Sequence, residues 1–158
     1  TITGAAFKGN LEMLKYCFSN DCPYDEEASC KQAAAGGHLD CLRFLFDKVK
    51  PSRKTEKEAA IQAACRGHLD ILKYFVEERK ISDAVKLDCV LSTAGYGYLD
   101  CLKYLIEEAR APLDLWSYIA WARYREHHEC ENYLLEKECP EPTEEQYATF
   151  VEDRQRDP

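Results

Sequence analysis

An all-α stack of repeated helix–turn–helix units is the fold class this sequence predicts, and three observations predict it. Four segments align on a glycine: GNLEMLKYCF from Gly9, GHLDCLRFLF from Gly37, GHLDILKYFV from Gly67 and GYLDCLKYLI from Gly97, with starts 28, 30 and 30 residues apart. A fixed period of that length is the signature of an array of small supersecondary units. Within each segment apolar residues fall two, four, five, seven, eight and nine places after the glycine, as in Leu39, Cys41, Leu42, Phe44, Leu45 and Phe46. That spacing is a broad helical stripe. Before the glycines lie alanine-rich stretches such as SCKQAAAG, EAAIQAAC and DCVLSTAG. Their small side chains allow close helix packing, and the glycine takes the left-handed turn that stops the helix.

Taken in order, the repeats span approximately 1–27, 28–55, 56–85, 86–114 and 115–142, and 143–158 form a C-terminal cap helix with a frayed tail. Each second helix starts with an acid in its first turn, Glu12, Asp40, Asp70 or Asp100, facing Lys15, Arg43, Lys73 or Lys103 three residues on. Both features suit a helix start. Pro23, Pro51, Pro112 and Pro140 stand 14 or 15 residues after the turn residue of four repeats and end their second helices. The fifth repeat, EHHECENYLLEKE from Glu126, has lost the glycine but keeps Cys130, Tyr133, Leu134 and Leu135 on the stripe. His128 and Glu131 replace apolar residues there, as expected of an outer face that meets water. Thr143 and Gln146 have the spacing of a capping box, and Tyr147, Phe150 and Val151 can fold onto the last helix pair. The chain opens in mid-repeat at Thr1, so further sequence or a neighbouring protein is expected to cover Ile2 and Ala5.

The recurring AAxxGHLDxLKYL pattern resembles the ankyrin repeat over about residues 1–139, in particular the divergent type with CPxD after the second helix, here NDCPYDEE, met in amoebae and their giant viruses. The resemblance implies a solenoid in which each helix pair stacks on the next, because one pair cannot bury its own stripe. Two departures stand out. ASCK, EAAI and DCVL replace the family's TPLH, and the GADVN finger is missing, while the step falls short of the usual repeat of about 33 residues. Shortened, irregular loops are expected in place of β-hairpin fingers.

Composition narrows the function. With Lys+Arg 21 against Asp+Glu 29 the formal charge is −8, and hydrophobic and charged residues make up 46% and 32%. This is a globular balance that excludes general affinity for nucleic acid phosphates. No apolar run approaches a membrane helix and no signal peptide is present, so the chain reads as soluble. The nine cysteines are odd in number and contain no CxxC. Cys41, Cys101 and Cys130 share a repeat position with Met13 and Ile71, the behaviour of small packed hydrophobes. Reduced thiols imply a reducing, cytoplasmic compartment. No Gly-rich phosphate loop, GxSxG or HExxH occurs. His38 and His68 share one turn position with Asn10 and Tyr98, which points to structural hydrogen bonds. His127, His128, Glu129 and Cys130 are adjacent, and neighbours on a helix point about 100° apart, too far to grip one ion. No catalytic residue, cofactor or metal ligand is assigned.

What varies between repeats is the pair just before the turn: Phe7 with Lys8, Ala35 with Gly36, Cys65 with Arg66, Gly95 with Tyr96, and Tyr124 with Arg125. The resemblance places this pair at the end of the inner helix on the concave, partner-binding face. Aromatic and Arg side chains dominate binding hot spots, so Tyr96, Tyr124, Arg66 and Arg125 are the first candidates, followed by Phe7 and Lys8, with Tyr24 and Trp116 extending the strip through the loops. The expected partner is a protein or peptide, acidic in character, with no nucleic acid and no membrane insertion, bound by a chain that is monomeric alone or part of a hetero-complex. Three other readings stay open at this point: an architectural subunit of a large assembly, the substrate-receptor part of a ubiquitin-ligase adaptor, and a cysteine-based redox or metal-binding protein.

The stripe itself is testable. Leu42→Ala and Leu72→Ala should each cost about 2–5 kcal/mol in a denaturation curve; a loss under about half a kcal/mol for both contradicts the assignment.

Overall fold

The computed structural model describes residues 1–156, and among these helices alternate with turns and no strand occurs. The first helices of the repeats are α1 (Ile2–Phe7), α3 (Glu26–Ala35), α5 (Arg53–Arg66), α7 (Asp83–Tyr96) and α9 (Ser117–Tyr124). The second helices are α2 (Leu11–Ser19), α4 (Leu39–Val49), α6 (Leu69–Lys73), α8 (Leu99–Lys103) and α10 (His128–Glu136), followed by α11 (Glu144–Arg156). α6 and α8 run on as π-helical turns, Tyr74–Glu78 and Tyr104–Glu108. The predicted all-α helix–turn–helix repeat fold is therefore present. No helix among the described residues is long and apolar enough to cross a membrane. Two compact units divide the chain, Thr1–Val85 and a second that starts at Lys86.

In the first compact unit α3 packs against both α1 and α5, and α2 against α4. Ala6, Ala33, Ala34, Ala59, Ala60, Ala63 and Ala64 have no exposed surface, so the small residues bring these helices together as predicted. The turn glycines take φ values of 69° at Gly9 and 78° at Gly37. A Cβ there would also strike the next repeat's histidine, 2.4 Å from His38 Nδ1 at Gly9 and 2.6 Å from His68 Cε1 at Gly37. Each glycine is thus required twice, for its backbone and for the imidazole that packs on it. His68 Nε2 donates to the Ala35 carbonyl at 2.9 Å, the structural role expected of this position.

On the second helices Leu14, Leu42, Leu45, Leu72 and Phe75 are fully buried. The aromatic nine places after one turn covers the aromatic seven places after the next: Phe18 meets Phe44 edge-on at 5.4 Å, and Phe46 meets Tyr74 at 6.1 Å. The first repeat has no such cover within this unit, and Tyr16 and Met13 are 64% and 48% exposed. This corrects the reading of the N-terminal edge. Ile2 and Ala5, expected to need covering, are already buried against α3, and the open apolar surface lies on α2 instead. The expected pairing of Arg43 with Asp40 is also replaced, because Arg43 bonds Glu78 and lies over the Tyr74 ring, whereas Glu12 and Lys15 do pair at 3.0 Å.

The second compact unit is built the same way. Val90, Ala94, Leu102, Leu105, Ile119, Ala120, Ala122 and Leu134 are fully buried, and α9 packs against α10 and α11. Gly97 (φ 79°) receives His127, whose Nδ1 would lie 2.5 Å from a Cβ. Glu126, standing where the glycine has gone, still takes φ 60°, a left-handed conformation that costs a side chain about 1–2 kcal/mol. Thr143 and Gln146 form the predicted reciprocal cap: Thr143 N–H donates to Gln146 Oε1 at 2.9 Å and Gln146 N–H to Thr143 Oγ1 at 3.2 Å. The segment expected to fray from Asp153 is helical as far as Arg156, and its last two residues, 157 and 158, lie outside the described residues.

No cysteine is in a disulfide, and seven of the nine are buried, Cys22 and Cys65 being half-buried. Burial pushes the Cys30 thiol up from 9.0 to about 12, and the Cys130 and Cys139 thiols to about 11. A native chain should therefore expose only Cys22 and Cys65 to a thiol reagent and all nine after unfolding. Because the folded-state pKa values are raised, the stability these thiols contribute is complete below about pH 9 and is lost as pH rises towards about 11 to 12. A urea midpoint that stays flat across that window contradicts their burial.

Candidate functional site

The pairs that precede the turns end the first helices, where the backbone swings into the left-handed glycine. In the first compact unit Phe7 is 46% exposed, and Lys8 and Arg66 are exposed. Gly36 is held close to α1: a Cβ there would come 2.4 Å from the Phe7 carbonyl oxygen. The ends of α1 and α3 thus touch through backbone, leaving the Phe7 ring to solvent. Arg66 has no ion-pair partner among the described residues. Tyr24 is set apart from these, exposed in the loop before α3, with its ring 4.9 Å from Phe18.

The second compact unit brings its candidates together. Tyr96 is 48% exposed at the end of α7. The Arg125 guanidinium lies 5.4 Å from the Tyr96 ring centre and 5.6 Å from that of Trp121. Trp121 meets Tyr124 edge-on at 6.3 Å, and Phe150 of α11 meets Tyr124, Trp121 and Trp116 at 5.9, 5.3 and 6.3 Å. Tyr96, Arg125, Tyr124 and Trp116 are therefore members of one cluster, linked by Trp121 and Phe150. Arg154 joins it from α11, 4.7 Å from the Trp121 ring centre.

Trp121 and Arg154 were not among the residues the sequence pointed to, and Phe150 was read only as part of the cap. The signal for Trp121 was present. It stands five residues before the turn, where the other repeats carry Gly4, Gln32, Gln62 and Ser92. A tryptophan at a position otherwise small or polar marks a surface used differently.

The arginines of the cluster fall into two kinds. Arg125 and Arg154 have no carboxylate partner among the described residues and rest on ring faces. Stacking of this kind satisfies the cation while leaving the planar N–H edge free to donate. Arg123 is already committed: it donates to Glu141 at 2.8 Å and from Nε to Glu131 at 2.6 Å, bonds that hold its pKa above the ordinary value. This corrects the expectation for Glu131. Its side chain is only 13% exposed and is held by Arg123, whereas His128 does face water.

The cluster offers stacking surfaces and donor edges for binding. His38, His68 and His127 pack on turn glycines, and among the described residues no group of three or more His, Cys, Asp or Glu is placed to hold a metal ion.

A family model described as ankyrin repeats, in three copies, matches residues 2–88. No curated protein matches the chain.

Arg123 and Glu131 supply a test of the covered pair. Arg123→Ala should cost about 1–3 kcal/mol, because it strands a carboxylate with little water. Adding Glu131→Leu, the residue found at Leu14, Leu42, Leu72 and Leu102, should restore most of that loss. Equal stability of the single and double variants in thermal melts would show the pair to be energetically idle.

Proposed function

The chain belongs to the ankyrin-repeat family, and from that premise we propose that it is a non-enzymatic recognition module that binds a protein partner along the turn ends of its first helices. Ankyrin repeats generally serve as protein–protein interaction modules, and the repeated helix pairs supply surface without fixing a partner. The observation that carries the reading is Arg125, stacked on Tyr96 and Trp121 with no carboxylate partner among the described residues. A guanidinium so placed is pre-organised for a bidentate, charge-assisted bond, and its ring neighbours add contact area at low entropic cost.

The partner segment therefore carries a carboxylate for Arg125. In the first compact unit Arg66, Lys8 and the exposed Phe7 ring provide a second site of the same chemistry. Buried, reduced cysteines suit a reducing compartment such as the cytoplasm.

The test compares capture of partners from the source cell by the native chain and by Arg125→Glu and Arg66→Glu variants, read by mass spectrometry. Loss of one hydrogen bond to a charged group is worth about 1.5–3 kcal/mol, so capture of the specific partner should fall roughly tenfold or more. The melting temperature should fall by no more than a few degrees, since neither side chain has an ion pair among the described residues and Arg125 loses only its ring contacts, worth about 0.5–1 kcal/mol. Unchanged capture by both variants overturns the reading.

A further inference from the structure

We propose that the outer flank of α2, formed by Met13 and Tyr16, docks one helix of a partner protein that presents Lys or Arg, a large apolar residue three places on, and Asp or Glu four places on. The inference is independent of the turn-end reading, because it concerns the side of the first repeat and not the ends of the first helices.

Met13 and Tyr16 stand at positions the chain buries elsewhere. Four places after their turns Cys41, Ile71 and Cys130 are buried, and seven places after theirs so are Tyr74 and Tyr133. Met13 and Tyr16 hold the same two places after Gly9, yet they are 48% and 64% exposed. The Tyr16 ring and hydroxyl have no partner among the described residues.

Tyr74 and Tyr133 show what such a tyrosine takes. In the first compact unit the Arg43 guanidinium lies 4.8 Å from the Tyr74 ring centre, and the Phe46 ring meets it at 6.1 Å. In the second, Lys103 Nζ lies 5.8 Å from the Tyr133 ring centre, and the Tyr133 hydroxyl donates to Glu107 at 2.9 Å. Each of these covering residues belongs to the second helix of the repeat before, at the sixth place after its turn (Arg43, Lys103), the ninth (Phe46) or the tenth (Glu107). Those places are i, i+3 and i+4 on one helix and share a face. A single helix therefore supplies a cation and an apolar group for the ring and an acceptor for the hydroxyl.

The open surface belongs to α2 alone, since Ile2, Ala5 and Ala6 of α1 are buried. One helix closes it, whereas a whole repeat would have to lay a first helix against α1 as well. A second copy of the chain fits less well. Its α10 presents Leu135 and Glu136 at the ninth and tenth places but Asn132 at the sixth, where the cation belongs. The charges on α2 oppose neither end of the incoming helix: Glu12 and Lys15 pair with each other at 3.0 Å. Asn20 stands where Glu78 and Lys137 receive Arg43 and Glu107 in the other repeats, so recognition falls to Tyr16 itself.

Met13 is the only methionine in the chain, so a carbon-13 methyl label gives one NMR signal, placed on this flank. The probe is a peptide of residues 38–50, which carries Arg43, Phe46 and Asp47 at the required spacing. A lactam between C41K and L45D, turned away from those three, holds it helical. The Met13 signal of the full chain should shift saturably on titration. R43A, F46A and D47N peptides should each bind roughly threefold or more weakly, and Tyr16→Ala in the chain should weaken binding about tenfold. Against Tyr16→Phe, which lacks the hydroxyl, D47N should cost nothing further. Absence of a saturable shift overturns the proposal, as does equal binding by a peptide carrying R43A, F46A and D47N together. A Met13 signal that moves when the chain alone is diluted gives the flank to a second copy and overturns the partner. So does a longer product of the same reading frame in which the chain's own preceding segment leaves the Met13 signal unresponsive to the peptide.

Discussion

Ala33, Ala34, Ala59 and Ala60 lose all contact with water because α3 lies against α1 on one side and α5 on the other. Everything else in the first compact unit depends on that approach of one first helix to the next. A helix pair of this length cannot bury its own apolar stripe when alone, so burial is shared between neighbours and stability is a sum of contacts along the chain. The close spacing brings each repeat's histidine onto the preceding turn at Gly9 and Gly37, and it brings Phe18 over Phe44 and Phe46 over Tyr74. Weakening the alanine contact would therefore loosen the turns and the aromatic cover together.

The same rule explains how the chain treats surfaces with no following repeat. Where α9 would present another alanine face it presents Trp121 and Tyr124, and α11 covers them with Phe150. Where a sixth repeat would bury a leucine, Glu131 is neutralised by Arg123. Aromatic rings and a stacked cation make a face that a single cap helix can cover, because their contacts are broad and do not require one interlocking fit. The aromatic cluster and the cap thus grow out of the same substitution of large residues for small ones.

Much of the fold was legible in the sequence because the repeat states its own register. Glycine at near-constant intervals, acid in the following turn, leucine at the fifth place and an apolar residue at the eighth located the first four helix pairs, and the fifth followed from its apolar stripe. The capping box at Thr143 and Gln146 followed from side-chain spacing alone. Less legible were the left-handed ends of the second helices at Lys50, Lys80 and Arg110, with φ of 51°, 53° and 52°. No glycine marks them, and the backbone there is set by surrounding structure at the expense of local preference. The π-helical turns Tyr74–Glu78 and Tyr104–Glu108 likewise leave no trace in the apolar pattern. Of the candidate site, Tyr96, Tyr124, Arg125 and Trp116 were named individually, but their joining through Trp121 and Phe150 was not visible, since Phe150 comes from a different helix.

By itself the sequence determined the repeated helix pair, its phase, and which face of each helix avoids water, because these follow from residue size and polarity at fixed spacing. Tertiary structure alone decided which charges pair and which stay available. Arg43 left Asp40 for Glu78, Arg123 took Glu131 and Glu141, and Arg125 came to rest on Tyr96 and Trp121. Long charged side chains reach several elements at nearly equal local cost, so their partners are fixed by where packing places the neighbouring helix.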